Sequence, residues 1–300
     1  MPTTPDDYDR AVRAALPAFF GPVEVAASLP STMARAAELA AGGAPEGTTV
    51  VADAQEAGHG RLGRAWIAPP GSSLLFTVVV RPRLAPERAW LVVAAGGVAL
   101  VDATTALLAE AAEARPDAGG GPPAPAVGLK WPNDLLVDGR KAAGLLAEAH
   151  SEGRRLDWVL LGIGVNVGQG AGDFPPDLAG RATSLRLAAG AGAPRPAGTA
   201  VDRAALLGAW GERFVAGYAA LAAGEAGPTL AAYRERLDTL GRKVRVELLG
   251  GEAVEGVAAG VGADGALALR TAAGAEVVVA SGDVEHLRLA EPGGPLSRRP

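Results

Sequence analysis

The residues best equipped for chemistry run from Gly58 to Trp66, Gly-His-Gly-Arg-Leu-Gly-Arg-Ala-Trp, just after the apolar run Thr48 to Ala54 and Gln55. Gly58, Gly60 and Gly63 let backbone amides approach an anion without a side chain in the way. Arg61 and Arg64 add permanent cationic forks suited to carboxylate or phosphate oxygens. Trp66 offers a flat face for a base. The spacing Gly58-x-Gly60-x-x-Gly63 also matches a dinucleotide-binding pattern, which requires a strand, a tight turn and then a helix. Here Pro69-Pro70-Gly71 and the strand-like Leu74 to Val80 follow, so that reading is set aside. The loop reads as a clamp on an anionic compound bearing a nucleotide.

A second block is Lys130-Trp131-Pro132-Asn133-Asp134, followed by Leu135-Leu136-Val137, the turn pair Asp138-Gly139, and a return strand carrying Lys141 and Gly144. Lys130, Asp134 and Lys141 are charges among apolar strand residues, a costly placement unless they are paired or meet a ligand. Both readings stand for Asp134. A third block closes the run from Arg155 to Val167: Gly162, Gly164 and Asn166 alternate, so they share one strand face and leave it flat. Ser31 and Thr32 precede a helical segment ending at Gly42-Gly43, and serve either as its N-cap or as donors to a ligand.

These blocks need a frame. The chain has 300 residues, 49% of them hydrophobic, which suffices for one large domain or two unequal ones. A net charge of -5 argues against a general nucleic-acid binder. With no cysteine, thiolate catalysis, disulfides and thiolate-ligated zinc are excluded, and His59, His150 and His286 are too scattered for a metal motif. The N-terminus lacks the basic start of a signal peptide, and the apolar stretch Trp90 to Val101 is too short to cross a bilayer, so a soluble cytoplasmic protein is expected. Residues 1–22 read as a leader with some helix from Tyr8 to Phe20. Pro86 to about Arg115 reads as a long helix, Asp117 to Pro125 as a loop, and Val201–Leu221 and Pro228–Leu240 as helices. From Lys243 onward, five short strands split by Gly250-Gly251, Asp264-Gly265 and Ala273-Gly274 make a small barrel-like module. The expected division is 1–22, 23–240, 241–290 and a tail of 291–300.

Taken in order, the Gly-Arg loop ending in Trp66, the Lys130–Asp134 block with Lys141 and Gly144, and the Gly162-x-Gly164-x-Asn166 strand resemble the biotin–protein ligase family over about residues 23 to 290. The resemblance implies an α+β fold: a mixed-sheet catalytic core like that of class II aminoacyl-tRNA synthetases, then an SH3-like domain. It implies formation of biotinyl-5′-AMP from biotin and ATP, with Mg²⁺ arriving on the ATP, and transfer to a lysine of a biotin carboxyl carrier domain. By similarity, Ser31, Thr32, Gln55, Gly58, Arg61, Lys141 and Gly144 hold biotin. Gly60, Arg64, Trp66, Lys130, Asn133, Gly162, Gly164 and Asn166 hold ATP or the adenylate, and Arg61, Lys130, Lys141 and Asp134 are the catalytic set. The loop 58–66 is expected to be loose when empty. Three positions depart from the family pattern: His59 and Leu62 stand where arginines are usual, and Met33 stands in place of Asn. About twenty-two residues before the core are too few for a DNA-binding module, so no DNA or membrane partner is expected, and the chain is a monomer or homodimer. The alternatives are a lipoate– or octanoate–protein ligase, or a non-catalytic regulator that binds the adenylate.

Overall fold

The computed structural model describes residues 5–113, 124–153, 155–190, 202–248 and 251–286, so the expected loop at Asp117 to Pro125 and the tail from 291 lie almost wholly or wholly outside the described residues. In chain order the elements are α1 (Pro5–Ala15), β1 (Val23–Ala26), α2 (Thr32–Ala41), β2 (Thr49–Ala52), β3 (Ser73–Val80), α3 (Trp90–Glu113), β4 (Val127–Lys130), β5 (Asp134–Val137), β6 (Arg140–Glu152), β7 (Arg155–Asn166), α4 (Leu185–Ala188), α5 (Arg203–Ala222), α6 (Gly227–Glu235) and β8 to β12 (Lys243–Glu247, Ala253–Val261, Leu267–Arg270, Glu276–Val279, Asp283–His286). Seven strands form a mixed sheet in the order β1-β2-β3-β7-β6-β5-β4, with β1 and β2 parallel and every other pair antiparallel. The other five form an antiparallel sheet in the order β11-β10-β9-β8-β12. The fold is α+β, with a mixed core sheet and a small C-terminal sheet.

One face of the large sheet is covered by α3, which packs on α5. Gly96 and Gly97 make the approach close: a Cβ on Gly96 would stand 2.8 Å from Leu161 Cδ2, and one on Gly97 3.2 Å from Leu129 Cδ1. Trp210 of α5 donates to Gly96 O at 3.1 Å, and Phe76, Trp210, Phe214 and Tyr218 form a chain of ring contacts. With its leading turn, α3 spans Pro86–Glu113 and is long and apolar enough to cross a membrane, which corrects the shorter estimate made from Trp90–Val101; most of it is buried inside the protein. The same apolar cluster runs on into Val244, Val246, Leu267 and Leu269, so the two sheets share one core.

Two expectations change. Residues 5–15 are less a leader than part of the core: Tyr8 and Val12 are buried, and α1 lies so close to α5 that a Cβ on Gly208 would meet Ala15 O at 2.8 Å. The last helix stops at Glu235, not at Leu240. The chain there pairs with β4 instead: Leu129 N donates to Arg236 O and Asp238 N to Leu129 O, each at 2.8 Å, and those bonds win over further helix from Arg236 to Leu240.

Candidate active site

The other face of the large sheet builds the site by register. Lys130 lies opposite Asp134, Asp134 opposite Gly144, Gly144 opposite Gly164, and Gly164 opposite Leu75. Directly opposed residues share a face, so a transverse row passes from two charges to two glycines. The next row places Thr77, Gly162 and Leu146 together. Lys141, three residues from Gly144, belongs by strict alternation on the opposite face. The pairing jumps from Leu135↔Ala143 to Leu136↔Lys141, leaving Ala142 as an extra residue. That bulge returns Lys141 to the site face, where its Nζ reaches Asp134 Oδ1 at 2.7 Å. Lys130 Nζ stands 3.5 Å from the other carboxylate oxygen, and Asp134 is buried. One carboxylate therefore holds two ammonium groups.

The glycine floor is covered. A Cβ on Gly162 would lie 2.5 Å from Met33 Sδ, one on Gly164 2.7 Å from Trp66 Cε2, and one on Gly144 3.2 Å from Trp66 Cζ3. Trp66 thus lies on the surface where a flat ligand was expected, with Lys141 Nζ 5.8 Å from its ring centre. Its buried Nε1 has no hydrogen-bond partner among the described residues, a costly state that a ligand acceptor would relieve. A groove of about 830 Å³ lies between residues 81–85 and 152–157, some six pairs along the β6–β7 ladder, roughly 20 Å from the glycines. Near it, His150, Glu152 and Asp157 cluster, but Asp157 pairs with Arg155 at 2.7 Å and His150 stacks on Trp158.

At the other end of the face, Ser31 Oγ caps α2 by accepting from Met33 N at 3.2 Å. Gln55 Oε1 accepts from Thr32 N at 2.7 Å and from Thr32 Oγ1 at 3.0 Å, and Thr77 Oγ1 donates to Thr32 Oγ1 at 2.9 Å. Sequence reasoning passed over Thr77, although a lone hydroxyl inside Leu-Leu-Phe-Thr-Val-Val-Val was a signal. At Gly58 a Cβ would come within 2.8 Å of Gln55 Nε2 and 3.1 Å of Trp66 O. Two amides are engaged within the protein. Asn133 Nδ2 donates to Leu145 O. Asn166 Nδ2 donates to Thr183 O at 3.1 Å while its Oδ1 accepts from Gln169 Nε2 at 3.1 Å.

The loop itself is a small hairpin. Trp66 N donates to Gly58 O at 2.8 Å and Gly60 N to Arg64 O at 2.7 Å, with Leu62 at φ 58 and Gly63 at φ 71 at the tip. A left-handed leucine costs about 1 kcal/mol, so the tip depends on what holds its flanks. His59 Nε2 stands 3.4 Å from Glu148 Oε1. Arg61 Nη2 donates to Ser281 Oγ at 3.1 Å, and Arg64 Nη1 reaches Asp283 Oδ2 at 2.5 Å. Burial lowers the Arg61 pKa, with Asp283 and Asp134 acting against it. Burial also raises the pKa of Tyr233, whose hydroxyl donates to Pro132 O at 3.0 Å. Trp131 does not face a ligand: its indole donates to Gly265 O at 2.9 Å and joins the small sheet to the core.

Comparison with known proteins settles the family. Residues 25–166 match the biotin/lipoate A/B protein ligase family and residues 239–287 the biotin protein ligase C-terminal domain. Over 273 residues the chain is 39% identical to the biotin–[acetyl-CoA-carboxylase] ligase of Mycobacterium tuberculosis, covering 89% of each. The chain belongs to the biotin protein ligase family. The namesake from Paracoccus denitrificans is 31% identical, covering 84% of this chain and 95% of its own. The Aquifex aeolicus biotin protein ligase, solved with biotin and ATP, superposes with a TM-score of 0.64 at 25% identity, covering 90% of this chain and all of that one.

Beside the glycine floor, Lys130 and Lys141 meet Asp134, while the two arginines of the loop meet Ser281 and Asp283. The site's carboxylates leave little for a metal, since Asp134 is engaged by two lysines and Asp283 by Arg64.

Proposed function

We propose that this chain joins biotin to ATP, giving biotinyl-5′-AMP and pyrophosphate, and then passes the biotinyl group to a lysine of a biotin carboxyl carrier domain, in the cytoplasm. The observation that carries this reading is the transverse row Lys130–Asp134–Gly144–Gly164 with Lys141 brought over it. A carboxylate and a triphosphate repel one another, and fixed cations aimed at the point of attack offset that repulsion. In the first step a biotin carboxylate oxygen bonds to the α-phosphorus and pyrophosphate leaves. Lys141 and Arg61 neutralise the oxygens at that centre, and Lys130 and Arg64 those of the phosphates. Thr32, Gln55 and Thr77 form the polar end for the ureido group, with Ser31 at the helix start. Trp66 lifts from Gly164 or stacks on the adenine. Mg²⁺ accompanies ATP and screens its charge.

In the second step the carrier lysine must lose a proton before its nitrogen attacks the acyl carbon and AMP departs. Asp134 is held by both lysines. As Lys141 turns to the ligand, a carboxylate oxygen becomes free to take that proton. Asp134→Asn is then expected to form adenylate at a near-normal rate and to transfer it slowly; equal loss in both steps would remove Asp134 from the transfer step.

The reaction is tested by incubating the protein with MgATP and biotin, lipoate or octanoate, and weighing the adenylate. Biotinyl-AMP alone is expected. A lipoyl or octanoyl adenylate would move the chain to the sister branch, which the match of the C-terminal module to biotin ligases disfavours. Bound biotin without any adenylate would point to a regulator.

A further inference from the structure

Where β7 ends, buried polar side chains gather, and only one of them belongs to the set assigned above to the adenylate. Ser73, Asn166, Gln169, Thr183 and Ser184 are each at most 6% exposed. Asn166 lies one row beyond Gly164 on the site face, opposite Ser73 at the start of β3. Gln169 follows β7, where its carbonyl accepts from Ser184 Oγ at 2.7 Å, and the same hydroxyl caps α4. The segment carrying Thr183 is bonded to the backbone of Lys141: Lys141 N donates to Arg181 O at 2.9 Å and Thr183 N to Lys141 O at 2.8 Å. The groups around Asn166 are therefore tied to the strands of the site.

The hydrogen bonds among them can run in only one direction. Thr183 O is a carbonyl and can only accept, so the nitrogen of the Asn166 amide must face it, at 3.1 Å. The amide oxygen then points to Gln169, whose Nε2 donates to it at 3.1 Å. The other Nε2 hydrogen goes to Ser73 Oγ at 2.6 Å. Both hydrogens of the Gln169 amide are used in this chain. Its Oε1 is buried and has no partner among the described residues, a cost that a methionine of similar size would not carry. What the amide contributes at this position is its nitrogen. Asn166 keeps one hydrogen and one lone pair uncommitted, each at a fixed end of its side chain.

We propose that Gln169 is a positioning residue that sets base specificity: by holding the Asn166 oxygen, it fixes which end of that amide donates and which accepts, and so selects a 6-amino purine over a 6-oxo purine. Adenine offers an amino hydrogen at position 6 and an acceptor at a nearby ring nitrogen, the pattern that an oriented Asn amide reads. Hypoxanthine and guanine offer an oxygen at position 6, which would face the amide oxygen and be repelled. The proposal rests on the assignment of Asn166 to the adenylate.

The test compares acyl-adenylate formation from biotin with ATP and with inosine triphosphate, which carries oxygen in place of the 6-amino group. The natural protein is expected to favour ATP by about ten- to a hundredfold in kcat/KM. Gln169→Met is expected to reduce that ratio by about three- to tenfold, the scale of one hydrogen bond. The change is expected in the KM for nucleotide, with the KM for biotin unaltered. Ser73→Ala, which frees Gln169 on its other side, is expected to lower the ratio less, and serves if the Met variant folds poorly. In an Asn166→Ala background, Gln169→Met is expected to change the ratio no further, because Gln169 acts through Asn166. Thr104→Val removes another buried oxygen that has no partner among the described residues, on α3, and is expected to leave the ratio as it is. An unchanged ratio in both Gln169→Met and Ser73→Ala, equal loss toward both nucleotides and biotin, or no preference for ATP in the natural protein overturns the proposal. If the natural protein forms no acyl-adenylate, the functional reading fails. Calorimetric affinities for ATP and inosine triphosphate, compared in the same variants, then decide the proposal by themselves.

Discussion

Strand β7 shows two proteins in one. Leu161, Ile163 and Val165 point to α3 and are buried in the main core, whereas Gly162, Gly164 and Asn166, one residue out of phase, face the site. The α3 face is filled with branched apolar side chains and closed by helices. The site face has almost no side chains of its own at its centre and is covered by Met33 and Trp66, which arrive from other segments. A face that must admit a flat ligand contributes little burial, so the stability of the whole sheet has to come from its other side. Alternation lets one strand do both, because neighbouring residues never share a face.

That division can be broken from either side. Leu161→Ala removes a fully buried side chain beneath Gly96 and is expected to cost about 2–5 kcal/mol in denaturant unfolding, while KM values of the folded fraction stay unchanged. Lys141→Ala, on the site face, is expected to reverse the pattern: adenylate formation falls by roughly 10²–10³-fold, the scale of losing one charge-stabilising group, while the unfolding midpoint moves little because Lys130 still accompanies Asp134. Gly164→Ala sets a methyl against the Trp66 ring and is expected to raise the KM for ATP about tenfold in an otherwise well-folded protein.

The smallest expected effect sharpens the comparison from the core side. Tyr8 is buried, its hydroxyl has no partner among the described residues, and burial, opposed by Arg203, pushes its pKa up to about 12 from 10.0. An acid whose pKa is raised by folding contributes its full stability below pH 10 and loses it as pH rises through about 12. Tyr8→Phe is expected to gain about 1 kcal/mol at neutral pH by removing the orphaned hydroxyl, and to flatten the alkaline fall in stability. A loss of stability at neutral pH in Tyr8→Phe would show that the hydroxyl is satisfied after all.

Much of this was legible in the sequence for a physical reason. Glycines at alternate positions, lysines inside an apolar strand and the Asp138-Gly139 turn are local features, and local features survive the absence of coordinates. The turn is as expected, with φ of 48 and 71 at its two residues, and the five short strands expected from Lys243 onward are found as β8 to β12. What was not legible depended on distant partners. The last helix ends at Glu235 because β4, a hundred residues earlier, offers better bonds. Residues 5–15 read as a leader because the glycine that receives their end, Gly208, lies on α5. The loop arginines read as free cations because Ser281 and Asp283 are more than two hundred positions away. Thr77, by contrast, was readable: a hydroxyl opposite a glycine in register is the kind of pair the strand pattern already implied.

The extra residue at Ala142 gives the site a dependence of another kind. Lys141 reaches Asp134 because of how many residues lie between the Asp138-Gly139 turn and Gly144, and not because of what most of them are. Replacing Ala142 by another small apolar residue leaves the count intact. Removing it keeps every reactive group in the chain, yet turns the ammonium toward the helices and strips the carboxylate of its nearer partner. In this hairpin the message is carried by spacing as much as by spelling, and two sequences that differ by a single gap would differ more in chemistry than two that differ by several letters.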